Sequence, residues 1–294
     1  SSDVCSSDLE KIALVGPGAQ SQDILGAWSW QGKKEEAISL VAGAQKLTTN
    51  LLVAQEPFDY FEPTAAAIEE ALTLASQADK VVVALGETDW MSGEAASRSD
   101  IRLPEKQLAV VAQIIEKNPN VVVTVYSGRP LDLQGREVVK GIVQAWQPGT
   151  EGGNALAEIL WGEYNPSGRL SMSFPETVGQ VPIFYNVDNT GRPYESAPEE
   201  KYVSKYLDVS NYAKYPFGFG LSYSHFSYQP IQLSALTFTK EQPVTVSVLV
   251  RNDSPIVGEE TVQFYVRDLV GQVVRPIKEL KDFQKVWQIG RAHV

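Results

Sequence analysis

Cysteine and histidine are scarce in this sequence of 294 residues. The single cysteine, Cys5, can form no disulfide within the chain and cannot build a metal site from several thiolates. The two histidines, His225 and His293, are too few and too far apart to predict a zinc site or a serine-type catalytic triad. Carboxylates are therefore the main reactive groups left, and we expect the chemistry to depend on them.

Long apolar runs and clusters of basic residues are also missing. No run reaches the roughly 18 apolar residues that a membrane-spanning helix needs, so no membrane contact is predicted. Residues 1–10 have neither the basic region nor the apolar stretch of a signal peptide. The net charge is −11 and Lys and Arg form no stripe, which argues against nucleic acid binding because phosphates are neutralised by clustered cations. A neutral small molecule suits this surface better.

The first part of the chain alternates apolar β-branched runs with helical patterns, which predicts an α/β domain with a largely parallel sheet over residues 10–222. Strands are expected at 11–15, 81–85, 121–126 and 142–146, and helices at 64–78, 105–117 and 151–160. Within this domain, residues 175–222 are rich in Pro, Gly, Tyr and Asn and predict a long loop connector. Residues 223–288 show two-residue alternation and predict a β-sandwich, cut short because such a fold needs about 100 residues.

Both ends of the chain look foreign to the rest. Residues 1–9 read SSDVCSSDL and residues 289–294 read IGRAHV, and neither continues the apolar periodicity beside it. Both strings resemble translated sequencing-adapter DNA at the edges of assembled fragments. We therefore expect foreign or disordered ends and a true polypeptide that extends beyond them.

One loop concentrates chemistry-bearing side chains. Residues 86–100 follow the strand predicted at 81–85 and hold four carboxylates, an arginine, a tryptophan and two glycines. Ligands of open α/β sheets bind outside the carboxyl ends of the strands, where this loop is expected. Glu94 is flanked by small residues and could protonate a leaving group, Trp90 could stack on a sugar, and Arg98 could pair with a carboxylate. The alternative is a solvated polar loop with a surface salt bridge.

Seven strings occur in the order of one known family, from about residue 10 to residue 288. They are KIALVGP (11–17), GEAASRSD (93–100), SGRPL (127–131), QPGTEGGNALAEILWGEYNPSGRLSMSFP (147–175), NTGRPY (189–194), YPFGFGLSY (215–223) and RPIKELKDFQKV (275–286). The chain resembles the C-terminal portion of glycoside hydrolase family 3, and within it the bacterial β-glucosidases. The resemblance implies an N-terminal (β/α)8 barrel, an α/β sandwich and a fibronectin type III-like domain, of which this chain lacks the barrel.

The resemblance also implies how the catalytic groups are divided. In the family the nucleophile is an aspartate of the barrel, and the general acid/base is a glutamate on a loop of the second domain. That glutamate falls on Glu94, whereas Glu87 takes a position that is structural in the family's pattern. Trp90, Met91 and Arg98 become candidates for lining or shaping the outer part of the substrate site. No cofactor and no metal are implied.

The expected function is that of a fragment of a retaining β-glucosidase, which hydrolyses terminal β-glycosidic bonds of oligosaccharides. The fragment would supply the general acid/base without the nucleophile and would be inactive alone. Its partners would be a glycoside substrate and the missing barrel, in a parent protein of the periplasm or the extracellular space. The alternatives are a parent β-xylosidase, a glycan-binding module, and a structural module without catalysis.

Overall fold

The computed structural model describes residues 10–133 and 138–288. The chain forms two compact units: the first runs to Tyr164 and takes in residues 173–183 and 207–214, and the second holds residues 165–172, 184–206 and those from Tyr215 onward. The ends expected to be foreign, 1–9 and 289–294, lie outside the described residues, so that expectation stays a prediction.

The centre of the first unit is a parallel sheet of five strands in the order β2-β1-β3-β4-β5. The strands are β1 (Ile12–Val15), β2 (Leu51–Val53), β3 (Lys80–Gly86), β4 (Val121–Tyr126) and β5 (Gly141–Trp146). All of β4 and all but the first residue of β3 are buried, which explains why both read as unbroken apolar runs rather than as alternating patterns. The predicted α/β class with a parallel sheet is confirmed.

Helices cover both faces of this sheet. They are α1 (Leu40–Ala44), α2 (Ala65–Gln77), α3 (Glu105–Lys117) and α4 (Gly152–Leu160). Along β3, Val81 and Val83 belong to the core beneath α2 and α3, while Val82 and Ala84 belong to the core beneath α1 and α4. Alternate side chains of one strand thus enter opposite cores, as the period of two requires. None of the described helices combines the length and apolarity needed to cross a bilayer.

The second unit contains antiparallel strand pairs. Its strands are β6 (Phe226–Tyr228), β7 (Gln232–Leu233), β8 (Val246–Ser247), β9 (Val250–Asn252), β10 (Gly258–Val266) and β11 (Glu279–Gln288). Strand β6 pairs with β9, β7 with β8, and β10 with β11. The alternating stretch 244–250 is divided between β8 and β9.

Residues 165–172 join the second unit because their polar groups bind residues within its strands or close to their ends. The Asn165 amide donates to Ser224 Oγ at 2.8 Å and to the Val257 carbonyl at 2.9 Å. The Arg169 guanidinium pairs with the buried Glu260 carboxylate at 2.6 Å. The sequence pattern gives no sign of these contacts, because they link residues about 60 to 90 positions apart in the chain.

Candidate active site

The candidate site lies where the strand order of the first unit reverses. The chain passes from β1 outward to β2 and then returns to β3 on the other side of β1, so that β1 and β3 are neighbours at a topological switch point. Crevices outside the carboxyl ends of such strands are the usual ligand sites of open α/β sheets. The loop after β3, which carries Glu94, leaves the sheet here, as the sequence predicted.

The four carboxylates of this loop differ in their partners. Glu87 is paired with Arg98 and Arg129, Asp89 with Lys34, and Asp100 with Arg102. Within the described part of the chain, the Glu94 carboxylate has no ion pair or hydrogen bond, and the residue is exposed. The structure therefore distinguishes Glu94 from the three other acids by leaving its carboxylate free to act on a ligand.

The backbone around Glu94 is held in an uncommon conformation. Gly93 has a φ of +97° and Ala95 a φ of +57°. Glycine adopts such angles readily, but for alanine the left-handed region costs about 1–2 kcal/mol. Strained non-glycine residues concentrate at functional sites, where the surrounding structure fixes them. Gly93 and Ala95 thus set the backbone direction on both sides of Glu94.

Glu87 anchors the start of the loop. Its side chain is 1% exposed and lies directly after β3. One carboxylate oxygen accepts a hydrogen bond from Arg98, and the other accepts from Arg129 Nε at 3.2 Å. A buried carboxylate with two guanidinium partners is a structural ion network, which agrees with the role the family pattern gives to this position.

Arg129 follows β4, lies outside the 86–100 loop in sequence, and contacts that loop through its guanidinium group. Its Nη2 donates to the carbonyl oxygens of Met91 and Ala96, the latter at 2.8 Å, and its Nε reaches Glu87. Sequence reasoning did not single out Arg129. The available signal was its place in the SGRPL string, one of the matched motifs, directly after a buried strand.

The three other predicted site residues occupy different environments. The Trp90 side chain is exposed, 68% accessible, with its ring 6.1 Å from that of Phe61. Met91 is buried, at 9% exposure. Arg98 is held by Glu87 and by the Arg102 carbonyl at 3.1 Å. Of the three side chains, that of Trp90 is the one displayed to solvent, while Met91 is buried and Arg98 is held by its hydrogen-bond partners.

Sequence reasoning also missed Trp28 on the loop after β1. Its side chain is 70% exposed, and its Nε1 lies 3.3 Å from the position a Cβ would take at Gly93. A second large indole therefore lies close to Gly93, the residue that precedes Glu94. The signal was the string Trp28-Ser29-Trp30, two tryptophans in a polar loop that follows a buried strand. An exposed tryptophan offers a flat apolar face of the kind on which a sugar ring packs.

An ion cluster ties the loops after β1 and β3 together. Lys34 Nζ lies 2.8 Å from Asp23 Oδ1 and 2.8 Å from Asp89 Oδ2. The hydrogen bonds that Lys34 donates to the Asp23 and Asp89 carboxylates raise the pKa of Lys34. Burial alone would raise the pKa of Asp89, but the hydrogen bond and charge of Lys34 outweigh it, and the pKa is lowered. The cluster thus stabilises the folded loops while all three groups are charged.

Replacing Lys34 by methionine is expected to lower the melting temperature of the chain by about 1–3 °C near neutral pH, since a partly exposed ion cluster contributes modestly. Because the pKa of Asp89 is lowered by folding, Asp89 stabilises the fold at pH values above the pKa of an unfolded aspartate, near 4. This stabilisation is lost as the pH falls through the folded-state pKa. Because the pKa of Lys34 is raised by folding, Lys34 stabilises the fold at pH values below the pKa of an unfolded lysine, near 10. This stabilisation is lost as the pH rises through the folded-state pKa.

Thermal unfolding of the Lys34→Met variant across pH measures this dependence. The difference from the unmodified chain should be largest between about pH 5 and pH 9 and should shrink on both sides. Lys33→Met is the matched control, because Lys33 pairs with Glu36 at 3.3 Å on the exposed surface. Equal effects of the two variants at every pH would contradict the assignment.

The donor set gives no sign of a metal centre. Among residues 10–133 and 138–288, no group of three or more His, Cys, Asp or Glu side chains is placed to hold an ion. The chemistry that this arrangement can supply is proton transfer by one exposed carboxylate, next to aromatic side chains that can hold an apolar ring face.

The fold places the first unit among the doubly wound α/β proteins, and its exposed carboxylate with neighbouring tryptophans suits a carbohydrate-processing domain. Residues 6–223 match the glycosyl hydrolase family 3 C-terminal domain, and residues 260–290 match a fibronectin type III-like domain. The chain therefore belongs to glycoside hydrolase family 3, as its motifs indicated. The prediction of fibronectin type III-like strands after the α/β domain is likewise confirmed.

Individual relatives agree with this assignment. The chain is 38% identical to a periplasmic β-glucosidase of Salmonella typhimurium, over 94% of this chain and 39% of the relative. It is 31% identical to a β-xylosidase of Formosa agariphila, over 95% of this chain and 39% of the relative. Among solved structures, the β-glucosidase of Listeria innocua superposes with a TM-score of 0.89 at 38% identity, covering 99% of this chain and 41% of that protein. The chain thus spans about two fifths of the length of these relatives.

Proposed function

We propose that this chain supplies the general acid/base, Glu94, of a retaining β-glucosidase whose nucleophile lies on a barrel outside the chain. The observation that carries the proposal is the state of the four loop carboxylates. Three are neutralised by cations, and Glu94 is exposed and without a partner in the described structure. The family resemblance selects the same residue on independent grounds.

The chemistry requires two carboxyl groups about 5–5.5 Å apart. The barrel aspartate attacks the anomeric carbon while Glu94 donates its proton to the departing glycosidic oxygen. Glu94, now a carboxylate, then removes a proton from the water that attacks the glycosyl-enzyme bond. Two displacements at the anomeric carbon retain its configuration, and Glu94 ends the cycle protonated.

The remaining loop residues take supporting roles in this proposal. Trp90 and Trp28 present exposed indole faces for the sugar on the leaving-group side. Met91 and Arg98 act indirectly, because Met91 is buried and Arg98 is paired with Glu87. Replacing either tryptophan should therefore raise KM for oligosaccharides more than it lowers kcat.

The substrate and the cellular location extend the same proposal. A β-glucosidase and a β-xylosidase both stand among the relatives, so a β-xyloside is the second candidate substrate. We favour β-glucosides because the β-glucosidase relative is more similar in sequence, with 38% against 31% identity. The same relative is periplasmic by name, and we propose that compartment for the complete enzyme.

The decisive experiment restores the missing barrel. The chain alone should show no hydrolysis of a chromogenic β-glucoside. A chimera that carries this chain in place of the matching 41% of the Listeria innocua β-glucosidase should hydrolyse it. Glycan binding by the chain together with an inactive but folded chimera would instead support a binding module. A chain that binds no glycan, with a folded chimera that is inactive, would support a structural module. Comparing β-glucoside with β-xyloside turnover distinguishes the two substrate classes.

A further inference from the structure

We propose that Arg129 is a positioning residue for the acid/base, because it fixes the loop on both sides of Glu94. The inference rests on the proposed function of Glu94. It assigns to Arg129 a part in the reaction that neither the motifs nor the relatives' names describe.

The geometry of the loop makes Arg129 the brace. Its Nη2 donates to the carbonyl of Met91, three residues before Glu94, and to that of Ala96, two residues after it. Glu94 and Ala95 form a turn, and the Glu94 carboxylate itself has no hydrogen bond within the described structure. The position of Glu94 therefore depends on how firmly its flanks are held, and one guanidinium nitrogen holds both.

The same side chain connects this brace to the sheet. Arg129 Nε donates to Glu87 Oε2 at 3.2 Å, and Glu87 directly follows β3. The Arg129 backbone follows β4, which pairs with β3 in parallel register. The loop is thus fixed through Arg129 to two neighbouring buried strands.

An arginine is required for this task. The planar guanidinium carries five N–H donors in a fixed fork, so it can reach a carboxylate through one edge and two carbonyls through another nitrogen. A lysine ammonium in the same place keeps the charge beside Glu87 but is a single point on a flexible stem. Arg129→Lys therefore separates the charge from the bracing geometry.

Leaving-group dependence tests the inference in the chimera. A misplaced acid slows departure of poor leaving groups, which need a proton, whereas 2,4-dinitrophenolate departs without one. Arg129→Gln should lower kcat/KM for cellobiose by about 10²-fold and that for 2,4-dinitrophenyl β-glucoside by less than about threefold. Arg129→Lys should show the same pattern. A purely structural role predicts equal losses on both substrates, and that result would overturn the inference.

A second measurement uses the chain by itself. The amides of residues 89–92 are hydrogen-bonded or buried within the loop, and their hydrogen exchange should become about tenfold faster or more in Arg129→Gln, since charge-assisted hydrogen bonds are lost. Arg102→Gln is the control, because its exposed guanidinium pairs with Asp100. Unchanged exchange in both Arg129 variants would refute the brace.

The outcomes separate the two proposals. If Glu94→Gln in the chimera leaves cellobiose hydrolysis intact, the proposed function fails, and the inference falls with it. If Glu94→Gln shows the leaving-group dependence and neither Arg129 variant does, the inference alone fails. Both proposals are supported if the leaving-group dependence of kcat/KM occurs in Glu94→Gln and in both Arg129 variants, and if the amides of residues 89–92 exchange faster in Arg129→Gln.

Discussion

Glu94→Gln in the chimera is expected to reduce kcat/KM for cellobiose by about 10³-fold, within the 10²- to 10⁴-fold range of a general acid. Glutamine preserves the size of the side chain and removes the proton that the glycosidic oxygen needs on departure. The loss should be far smaller for 2,4-dinitrophenyl β-glucoside, whose phenolate leaves unprotonated. Initial-rate kinetics on the two substrates measure both values.

The matched control for this variant is Glu62→Gln. Glu62 is an exposed acid of the same unit that pairs with Lys106 on the surface. Its replacement should leave both rates within about twofold, as expected for an exposed carboxylate that is already paired on the surface. An equal loss on the two substrates in Glu94→Gln would mean that Glu94 affects the fold or substrate binding and not proton transfer.

Among the substitutions proposed, Glu87→Gln is expected to destabilise the chain most, lowering the free energy of unfolding by about 3 kcal/mol. The Glu87 side chain is 1% exposed and neutralises Arg98 and Arg129, whose side chains are only 23% and 18% exposed. Removing one partner of a buried ion network leaves charges without compensation, which typically costs 3–5 kcal/mol. The partial exposure of the arginines places the estimate at about the lower end of that range.

Urea unfolding of the chain, followed by circular dichroism, measures this loss. Glu94→Gln serves as the control here, because its exposed carboxylate has no partner in the described structure and the change should stay within about 0.5 kcal/mol. If Glu87→Gln were as stable as that control, Glu87 could not be the anchor of the loop. Its candidacy as the acid/base would then need to be reopened.

Much of the first unit could be predicted from its sequence because its buried elements carry strong patterns. The strand at 121–126 and the helix at 105–117 agree with β4 and α3 residue for residue. The short helix α1 and the edge strand β2 were missed, since five and three residues are too few to establish a period. In the second unit the strands β7 and β8 are two residues each, and alternation alone could not divide the stretch between β8 and β9.

The site could be predicted in part. The position of the Glu94 loop followed from its place after a buried strand, and the family string selected the residue. Arg129 and Trp28 were not found, because they come from the loops after β4 and β1 and meet this loop only in the folded sheet. The sequence also could not show which carboxylates are neutralised, because some of their cationic partners are distant in sequence. Lys34, which pairs with Asp89, is one example.

Azide rescue of the Glu94→Ala chimera tests the central claim most directly. With 2,4-dinitrophenyl β-glucoside the barrel aspartate can still form the glycosyl-enzyme, but no base remains to activate water. Azide needs no deprotonation, so it should attack the glycosyl-enzyme, release the aspartate, restore turnover and give the β-glucosyl azide. We expect that product in Glu94→Ala and not in the unmodified chimera. The absence of rescue, or an α-glucosyl azide, would contradict the assignment of Glu94 as the acid/base of a retaining enzyme.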